Sequence, residues 1–357
     1  MTGYLELGLF LPSTKGGLII AKGTPPQNEP TWELNRDVTL AAEAGGMDFV
    51  LSQVKWRGYG GETSHWDAAL ESFTLMSGLA AVTSRIKLFA SCAVRTVNPA
   101  VLAKMAVTVD AIADGRFGVN IVAGWNKFEY DQMGLWSDDD YYLNRYEYAD
   151  EYLTILKRLW SEDEVTFDGK YFKLNECRSA PKPRRRLPII CAGQSDGALD
   201  FVSRQSDFSF VGRMNDTPEQ LGEVVRKIDG MASAHGRSVK SYTLLNVIAA
   251  PTDDEAQAER QLYIDNRDEA AIRNFLSASG NDMNRADYLK LDPATLTYMS
   301  IPCIAASYDN VATYLDRLAA QGVHGVCMTF PDFATDVPEF IENVMPRMTS
   351  RIDEKAA

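Results

Sequence analysis

Histidine and cysteine are scarce in this chain, which has 357 residues but only three histidines and five cysteines. No two histidines stand at a metal-binding spacing such as His-x-x-x-His, and no Cys-x-x-Cys pair occurs. The cysteines are odd in number and widely spaced, which is typical of reduced core thiols and not of a disulfide framework. We therefore expect neither a structural nor a catalytic metal site.

Basic residues and long apolar runs are also few. The chain has 36 lysines and arginines against 49 aspartates and glutamates, which gives a formal net charge of -13. Such a surface repels phosphate backbones and anionic lipid, and no apolar run approaches the ~18 residues that span a bilayer. The segment Met1 to Glu6 lacks the basic and apolar regions of a secretory signal. We expect a soluble, cytoplasmic protein that binds neither nucleic acid nor membranes.

What is present is the composition of a globular protein, with 45% apolar and 24% charged residues. Short β-branched and aromatic runs alternate with longer segments of helical periodicity, a pattern typical of βαβ units around a parallel sheet. Asn98-Pro99 and Thr217-Pro218 are expected helix starts. Eight strands are predicted, at residues 5–11, 48–54, 87–93, 117–123, 188–192, 208–211, 242–249 and 325–330.

These strands could form a closed barrel or an open sheet. An open nucleotide-binding sheet usually carries a Gly-x-Gly-x-x-Gly turn after its first strand, whereas here the strand is followed by Pro12-Ser13-Thr14-Lys15-Gly16-Gly17. We therefore predict the α/β class and a (β/α)8 TIM barrel. The whole chain, residues 1–357, is expected to form one domain, with insertions at about 124–187 and 250–307.

Both insertions have predicted content. The first is expected to hold a helix from about Asn144 to Trp160 and a hairpin through Asp168-Gly169. The second contains a polar, weakly periodic stretch from Ser277 to Asp292. That stretch is either a mobile cover over the site, or a solvated loop or subunit contact.

Functional groups of a parallel barrel gather at the C-terminal ends of its strands, so polar residues there are informative. Gln53 and Lys55 interrupt the end of the second strand, and Ser91 stands near the end of the third. Asn120 is the sharpest signal, because it lies within the apolar fourth strand and an unpaired buried amide costs about 1–3 kcal/mol. Either a core network or a ligand must supply its partner.

Two turns extend this pattern. After the fourth strand, Trp125 could form an apolar wall and Glu129 could accept a hydrogen bond from a heterocycle N–H. After the fifth, Gly193 and Ser195 lead straight into a helix, where N–H groups favour a phosphate, although Ser195 can equally be a plain N-cap. No nucleophile elbow or Walker loop occurs. The sequence thus favours a planar, phosphate-bearing ligand, and FMN fits that description.

Six stretches carry a more specific signal: Leu70 to Met76, Gly78 to Ile86, Asp114 to Asn120, Gly124-Trp125, Tyr130 to Gly134, and Cys191 to Asp196. Together they resemble the bacterial luciferase-like family of flavin-dependent monooxygenases over nearly the whole chain. Within that family the resemblance is closest to the pyrimidine (uracil ring-opening) branch.

The resemblance implies a role for particular residues. Catalytic roles fall to Asn120, Ser91 and Trp125, with Ser91 where the branch has a threonine. Arg145 and Tyr146 are expected to clamp the cofactor phosphate together with Ser195. The full set of implied FMN-binding residues is Val54, Lys55, Asn120, Glu129, Arg145, Tyr146, Gly193 and Ser195.

The resemblance also implies a chemistry. Reduced FMN, supplied by a separate NADH:flavin reductase, would react with O2 to give a flavin peroxide that attacks an electrophilic carbon of a small-molecule substrate. The expected reaction opens a pyrimidine-like cyclic amide, with Gln53, His65 and Trp125 contacting the substrate. A homodimer or homotetramer is expected on the same basis.

Two departures from the pyrimidine branch keep other functions open. Gln53 replaces an apolar residue, and His65 precedes Trp66 where that branch is aromatic; both features are similar to sulfone and sulfonate monooxygenases of the family. Cleavage of a C–S bond in a small sulfone or sulfonate is therefore the first alternative. A non-catalytic flavin-binding barrel and a sugar-phosphate barrel enzyme are two others.

Overall fold

The computed structural model describes residues 3–23, 28–136, 140–193, 195–212, 216–279 and 292–351. The strands in these ranges are β1 (Glu6–Phe10), β2 (Phe49–Ser52), β3 (Lys87–Ala93), β4 (Phe117–Val122), β5 (Val165–Asp168), β6 (Lys173–Cys177), β7 (Ile189–Ala192), β8 (Phe208–Phe210), β9 (Lys240–Ala250), β10 (Cys303–Ser307) and β11 (Gly325–Thr329). The helices are α1 (Trp32–Ala44), α2 (Ser72–Val82), α3 (Pro99–Ile112), α4 (Lys127–Asp131), α5 (Asp140–Ser161), α6 (Asp196–Gln205), α7 (Pro218–Ala234), α8 (Asp253–Asp265), α9 (Glu269–Ser279), α10 (Pro293–Thr297), α11 (Tyr308–Ala320) and α12 (Phe333–Asn343).

Eight of the strands close into a parallel barrel, which confirms the predicted TIM fold. Around the ring the order is β1, β2, β3, β4, β7, β8, β9 and β11; β11 pairs with β1, and β8 pairs with β9. All eight predicted strands are barrel strands. Because they run parallel, their C-terminal ends meet at one mouth.

One further strand was not predicted. β10 pairs with the far end of β9, from Asn246 to Ala250, and lies in the stretch expected to be a plain insertion. It is five residues long, mostly half-buried, and only Ile304 is β-branched, so its sequence favours a strand only weakly. Successive parts of β9 therefore pair with three strands, first β8, then β11 and finally β10.

The predicted helix and hairpin of the first insertion are both present. α5 begins at Asp140, earlier than the predicted Asn144, and β5 pairs antiparallel with β6 around the turn after Asp168. The Glu151 carboxylate of α5 fixes the hairpin tip by accepting N–H bonds from Lys170, Tyr171 and Phe172, at 2.8, 3.0 and 3.2 Å. The predicted cover at Ser277 to Asp292 falls almost entirely on residues 280–291, outside the described ranges.

Predicted helix starts are also confirmed. The Asn98 side chain accepts a hydrogen bond from the Ala100 N–H at 2.9 Å at the start of α3. Thr217 and Gln220 form a reciprocal capping box at the start of α7. These side chains satisfy N–H groups that the first turn of a helix leaves without partners. Among the described residues, no helix is both apolar enough and long enough to cross a bilayer.

The barrel interior is built in layers, because side chains alternate between the interior and the surrounding helices. At the base, Glu6 accepts hydrogen bonds from the Tyr242 hydroxyl (2.5 Å) and the ammonium groups of Lys87 (2.9 Å) and Lys240 (3.1 Å). Above it lies an apolar layer of Phe49, Leu51, Phe89, Ile190, Tyr242 and Cys327.

The next inward-facing residue on most strands is polar. Gln53 follows Leu51, Ser91 follows Phe89, and Thr329 follows Cys327. The outward-facing residues of the same strands, such as Val50, Cys92 and Met328, pack in the core between the barrel and the helices. The same alternation turns Asn120 and Asn246 inward, since Val119, Ile121, Leu245 and Val247 all lie in that outer core. A polar layer, defined as Gln53, Ser91, Asn120, Asn246 and Thr329, therefore forms the floor of the mouth.

Candidate active site

Ser91 and Asn120 form one buried network in the polar layer. The Asn120 amide donates to the Ser91 hydroxyl at 2.8 Å, and that hydroxyl donates to the Ser52 carbonyl at 2.6 Å. The Ser91 N–H in turn donates to the Ser72 hydroxyl of α2 at 2.8 Å. The core network predicted as one possible partner of Asn120 is thus present, and it fixes the orientation of both side chains.

The stretch Asp114 to Asn120 forms the turn from α3 into β4, the strand that carries Asn120. Asp114 and Gly115 adopt positive φ angles of 51° and 82°, which turns the chain from α3 into β4. The Arg116 guanidinium then donates to the carbonyls of Ala80, Thr83 and Ile86, at 3.2, 3.0 and 2.8 Å. At Gly118 an added Cβ would lie 2.4 Å from the Phe89 ring, so only glycine fits there. Most of this stretch is structural.

A buried ion pair lies on the rim above β2 and β4. The Lys55 ammonium and the Glu129 carboxylate are 3.2 Å apart, with side chains 3% and 9% exposed. The other Glu129 oxygen accepts the Trp56 N–H at 2.5 Å. Burial lowers the pKa of Lys55, and the adjacent Glu129 carboxylate opposes that shift.

Aromatic rings surround the ammonium. Lys55 Nζ lies 4.7 Å from the ring centroid of Tyr59, 5.4 Å from that of Trp66 and 5.7 Å from that of Trp125. A ring face attracts a cation, so these three rings stabilise the charge while keeping its surroundings apolar. Val54, which precedes Lys55, is half-buried. The structure therefore brings together the predicted residues Val54, Lys55, Trp125 and Glu129.

Gln53 and His65 are the two residues predicted to contact substrate beside Trp125. The Gln53 amide donates to the Thr14 hydroxyl at the floor of the mouth. His65 is fully buried, stacks with Trp66 and Tyr59, and has its Nε2 3.2 Å from the Met299 sulfur. Burial lowers the pKa of His65 to about 3, so the imidazole is neutral. His65 thus stacks against Tyr59 and Trp66, two of the aromatic rings that contact the Lys55 ammonium.

Three of the predicted phosphate residues, Tyr146, Gly193 and Ser195, meet at the start of α6, whereas Arg145 donates to the Tyr142 carbonyl of its own helix at 2.7 Å. Ser195 is the N-cap of this helix and accepts the Ala198 N–H at 3.3 Å, which confirms the plain capping role. At Gly193 an added Cβ would come within 2.9 Å of the Tyr146 hydroxyl oxygen and 2.4 Å of the Ala198 Cβ. The Arg145 guanidinium lies 4.7 Å from the Tyr146 ring centroid.

This arrangement fits the phosphate of a flavin mononucleotide. Ser195 is exposed at the N-terminal end of a ten-residue helix, whose first N–H groups attract an anion. At Gly193 the backbone packs against Ala198 and Tyr146 too closely to admit a side chain, and Arg145 supplies a cation with rigid donors. The apolar rings and the buried ion pair at the rim suit the flat, polar-edged isoalloxazine ring equally well.

Two inward residues of the polar layer were not predicted, namely Asn246 and Thr329, which are 1% and 2% exposed. The sequence signal for Asn246 is the same as for Asn120, since both stand alone in an apolar strand: Leu245-Asn246-Val247 matches Val119-Asn120-Ile121. Among the described residues, no three His, Cys, Asp or Glu side chains come together as a metal-binding group.

Comparison with known proteins decides the family. The model of the luciferase-like monooxygenase family matches residues 5–325, which is most of the chain. The chain belongs to the luciferase-like monooxygenase family. The resemblance inferred from the six sequence stretches is therefore confirmed, and the protein is a flavin-dependent monooxygenase.

Relatives of this monooxygenase are similar over nearly their full length. Pyrimidine monooxygenase RutA of Serratia proteamaculans is 41% identical over 355 residues, covering 98% of this chain and 97% of the relative. The protein of the same name from Enterobacter cloacae subsp. cloacae is 42% identical, with 97% of each chain covered.

Solved structures share the fold at much lower identity. EDTA monooxygenase (EmoA) from Chelativorans sp. BNC1 superimposes with a TM-score of 0.81 at 20% identity, covering 98% of this chain and 94% of that one. DmoA from Hyphomicrobium sulfonivorans gives a TM-score of 0.78 at 21% identity, with 97% and 87% covered. At such identity the likeness shows the fold alone.

The Lys55–Glu129 pair generates a stability prediction. Glu129→Gln keeps an acceptor for the Trp56 N–H but leaves the ammonium buried without a counter-charge. Losing one partner of a buried pair costs about 3–5 kcal/mol, so the free energy of unfolding should fall by that order. Urea unfolding of the protein without FMN measures this loss, because bound cofactor would itself add to the apparent stability.

The matched control is Glu162→Gln, the same exchange in the Arg158–Glu162 pair, whose side chains are 34% and 42% exposed. Water screens an exposed pair and weakens its contribution to stability, so this variant should unfold almost as the parent does. Equal losses in the two variants would contradict the role assigned to burial.

Proposed function

We propose that this monooxygenase uses reduced FMN and O2 to oxygenate and open the ring of a pyrimidine-like cyclic amide. The observation that carries the proposal is the buried Lys55–Glu129 pair within apolar rings, at the same mouth as the Ser91–Asn120 network. Charged and amide groups within apolar walls suit a flat heterocycle whose edges alternate N–H and C=O. The two pyrimidine monooxygenases at 41% and 42% identity support this substrate over a sulfone or sulfonate.

The residues that would hold the cofactor fall into two groups. Val54, Lys55, Asn120 and Glu129 would lie along the isoalloxazine ring at the mouth. The phosphate would be held by Arg145, Tyr146, Gly193 and Ser195 at the start of α6. When bound, reduced FMN supplies the electrons that activate O2.

The chain's own side chains have separate tasks in this proposal. Ser91, whose proton is committed to the Ser52 carbonyl, can only accept from Asn120, and it thereby holds the amide in one orientation. The Lys55 ammonium would stabilise negative charge that develops at the mouth, and Glu129 opposes the lowering of the Lys55 pKa by burial. Trp125, with Tyr59 and Trp66, would exclude water.

A separate NADH:flavin reductase is proposed as the source of reduced FMN. The absence of a Gly-x-Gly-x-x-Gly turn after β1 supports this, because nothing in that turn marks a nicotinamide site. The oligomeric state, the single-domain organisation and the cytoplasmic location stay predictions.

Asn120→Ala is expected to lower the rate of product formation by about 100-fold or more. A fixed hydrogen-bond donor at the reacting centre accelerates a reaction on that scale. FMN fluorescence titration and thermal unfolding should show that cofactor binding and the fold survive. Asn343→Ala, an exposed amide that bonds only the Glu339 carbonyl, is the control and should be as active as the parent. Near-normal product formation by Asn120→Ala would refute the catalytic role.

Arg145→Ala is expected to weaken FMN binding about 10- to 100-fold, since a charge-assisted bond to phosphate is lost. Riboflavin, which lacks the phosphate, should bind parent and variant alike. Arg158→Ala, on the same helix but paired with Glu162, serves as the control. An unchanged FMN titration curve for Arg145→Ala would remove this residue from the phosphate site.

The substrate class is tested directly by single turnover. FMN is reduced anaerobically with the protein, O2 is added with a panel of uracil, related heterocycles, sulfones and sulfonates, and products are read by mass spectrometry. We expect ring-opened product from uracil-like amides and none with oxidised FMN alone. If only sulfones gave product, the proposed pyrimidine-like substrate would be wrong and a sulfone would take its place. If every compound gave hydrogen peroxide alone, a non-catalytic flavin barrel would be favoured.

A further inference from the structure

Asn246 is a buried amide that none of the roles above uses. On β9, Leu244 packs with the apolar layer of the barrel interior, whereas Leu245 and Val247 pack in the outer core. Asn246 therefore points into the barrel, one layer nearer the mouth than Leu244. Across the β9–β11 pairing it stands next to Thr329, and its side chain is 1% exposed.

The hydrogen bonds of this amide are incomplete. Asn246 Oδ1 is buried and has no partner, and Nδ2 reaches only the Tyr298 carbonyl at the long distance of 3.5 Å. Exchanging the two amide atoms would not help, because the Tyr298 carbonyl can only accept. An aliphatic residue of similar size would avoid an unpaired buried acceptor. The fold alone therefore gives no reason for an amide at this position.

The chain that covers Asn246 is held in an unusual conformation. Met299 and Ser300 have positive φ angles of 51° and 62°, which non-glycine residues rarely adopt, and they follow directly on Tyr298. The Ser300 hydroxyl is a second buried polar atom without a partner. The Asn246 N–H donates to the Pro302 carbonyl at 2.8 Å, which fixes this cover to β9. Strain and unpaired polar atoms thus coincide at one point of the mouth.

The geometry points to Asn246 as the residue that recognises the amide edge of the substrate. A carboxamide presents an acceptor and a donor side by side, and a cyclic amide presents N–H and C=O side by side, so the two can form a pair of hydrogen bonds. The substrate N–H would satisfy Asn246 Oδ1. This inference rests on the proposed function and deepens it, because it names the specificity-determining side chain.

Binding without turnover tests the assignment. Uracil, 1-methyluracil and 3-methyluracil are titrated calorimetrically into the protein with oxidised FMN and no reductant. Asn246→Leu should weaken uracil binding about 10- to 100-fold while changing the affinity for one of the two methylated uracils by less than about threefold. Asn246→Asp, which keeps the shape but loses the donor, should also weaken uracil binding.

Ser209→Ala is the matched control, because the Ser209 hydroxyl is likewise buried without a partner but lies on the outward side of β8. It should bind all three ligands as the parent does. Without ligand, Asn246→Leu should melt at the parent's Tm or above, whereas loss of a purely structural amide would lower the Tm.

The outcomes distinguish an error in the role of Asn246 from an error in the proposed function. Parent-like uracil affinity in Asn246→Leu, or an equal loss for uracil and both methylated forms, overturns the role of Asn246 while leaving the proposed function standing. A parent protein that binds none of the three pyrimidines overturns the proposed substrate, and the recognition by Asn246 with it.

Discussion

Closure of the sheet into a ring is the constraint on which the rest of the structure depends. Once β8 pairs with β9 and β11 pairs with β1, every inward side chain has a fixed height above the base. The layer of Phe49, Leu51, Phe89 and Tyr242 fills the middle of the ring, so nothing can pass through it. Polar side chains one step further along each strand therefore have only one outlet, which is the mouth.

The mouth combines groups that are well supported with groups that are not. Asn120 is oriented by Ser91, and Lys55 is neutralised by Glu129, so each of these side chains has its requirement met within the protein. Asn246 and Ser300 do not, since each leaves a buried polar atom without a partner. Incomplete hydrogen bonding weakens a fold, and enzymes often keep such weakness where a ligand must bind. Rigid and unsatisfied groups thus lie side by side around the same space.

The sequence predicted the parts of the structure in which local pattern and tertiary role agree. The barrel strands are short, apolar runs between helices with clear caps such as Asn98 and Thr217, and all of them were found. The strand β10 was not predicted because it is short and mostly half-buried. Its pairing with β9 is a tertiary contact that no local sequence pattern reveals. α5 is present as predicted but begins at Asp140, before the predicted start at about Asn144, because helix boundaries are less well marked in a sequence than the helices themselves.

Candidate site residues followed the same rule. Asn120 and Ser91 could be found because each is a polar residue in an apolar strand, and the structure joins them by a hydrogen bond that the sequence could not give. Asn246 carries the same signal, a single amide in an apolar strand, but it was not predicted as a site residue. The complete burial of His65 depends on Tyr59 and Trp66 from its own loop and on Met299, which comes from a distant part of the chain.

The pairing of β1 with β11 has a consequence for how the protein is made. Glu6 stands opposite Gly325, and the Leu5 N–H donates to the Ser350 carbonyl, so the first strand acquires its second neighbour only from the last part of the chain. A ribosome must therefore release the chain through Thr329, the last residue of β11, before the ring can close. Until then the growing polypeptide presents a bare strand edge to the cell, which is the kind of surface that chaperones bind and that promotes aggregation.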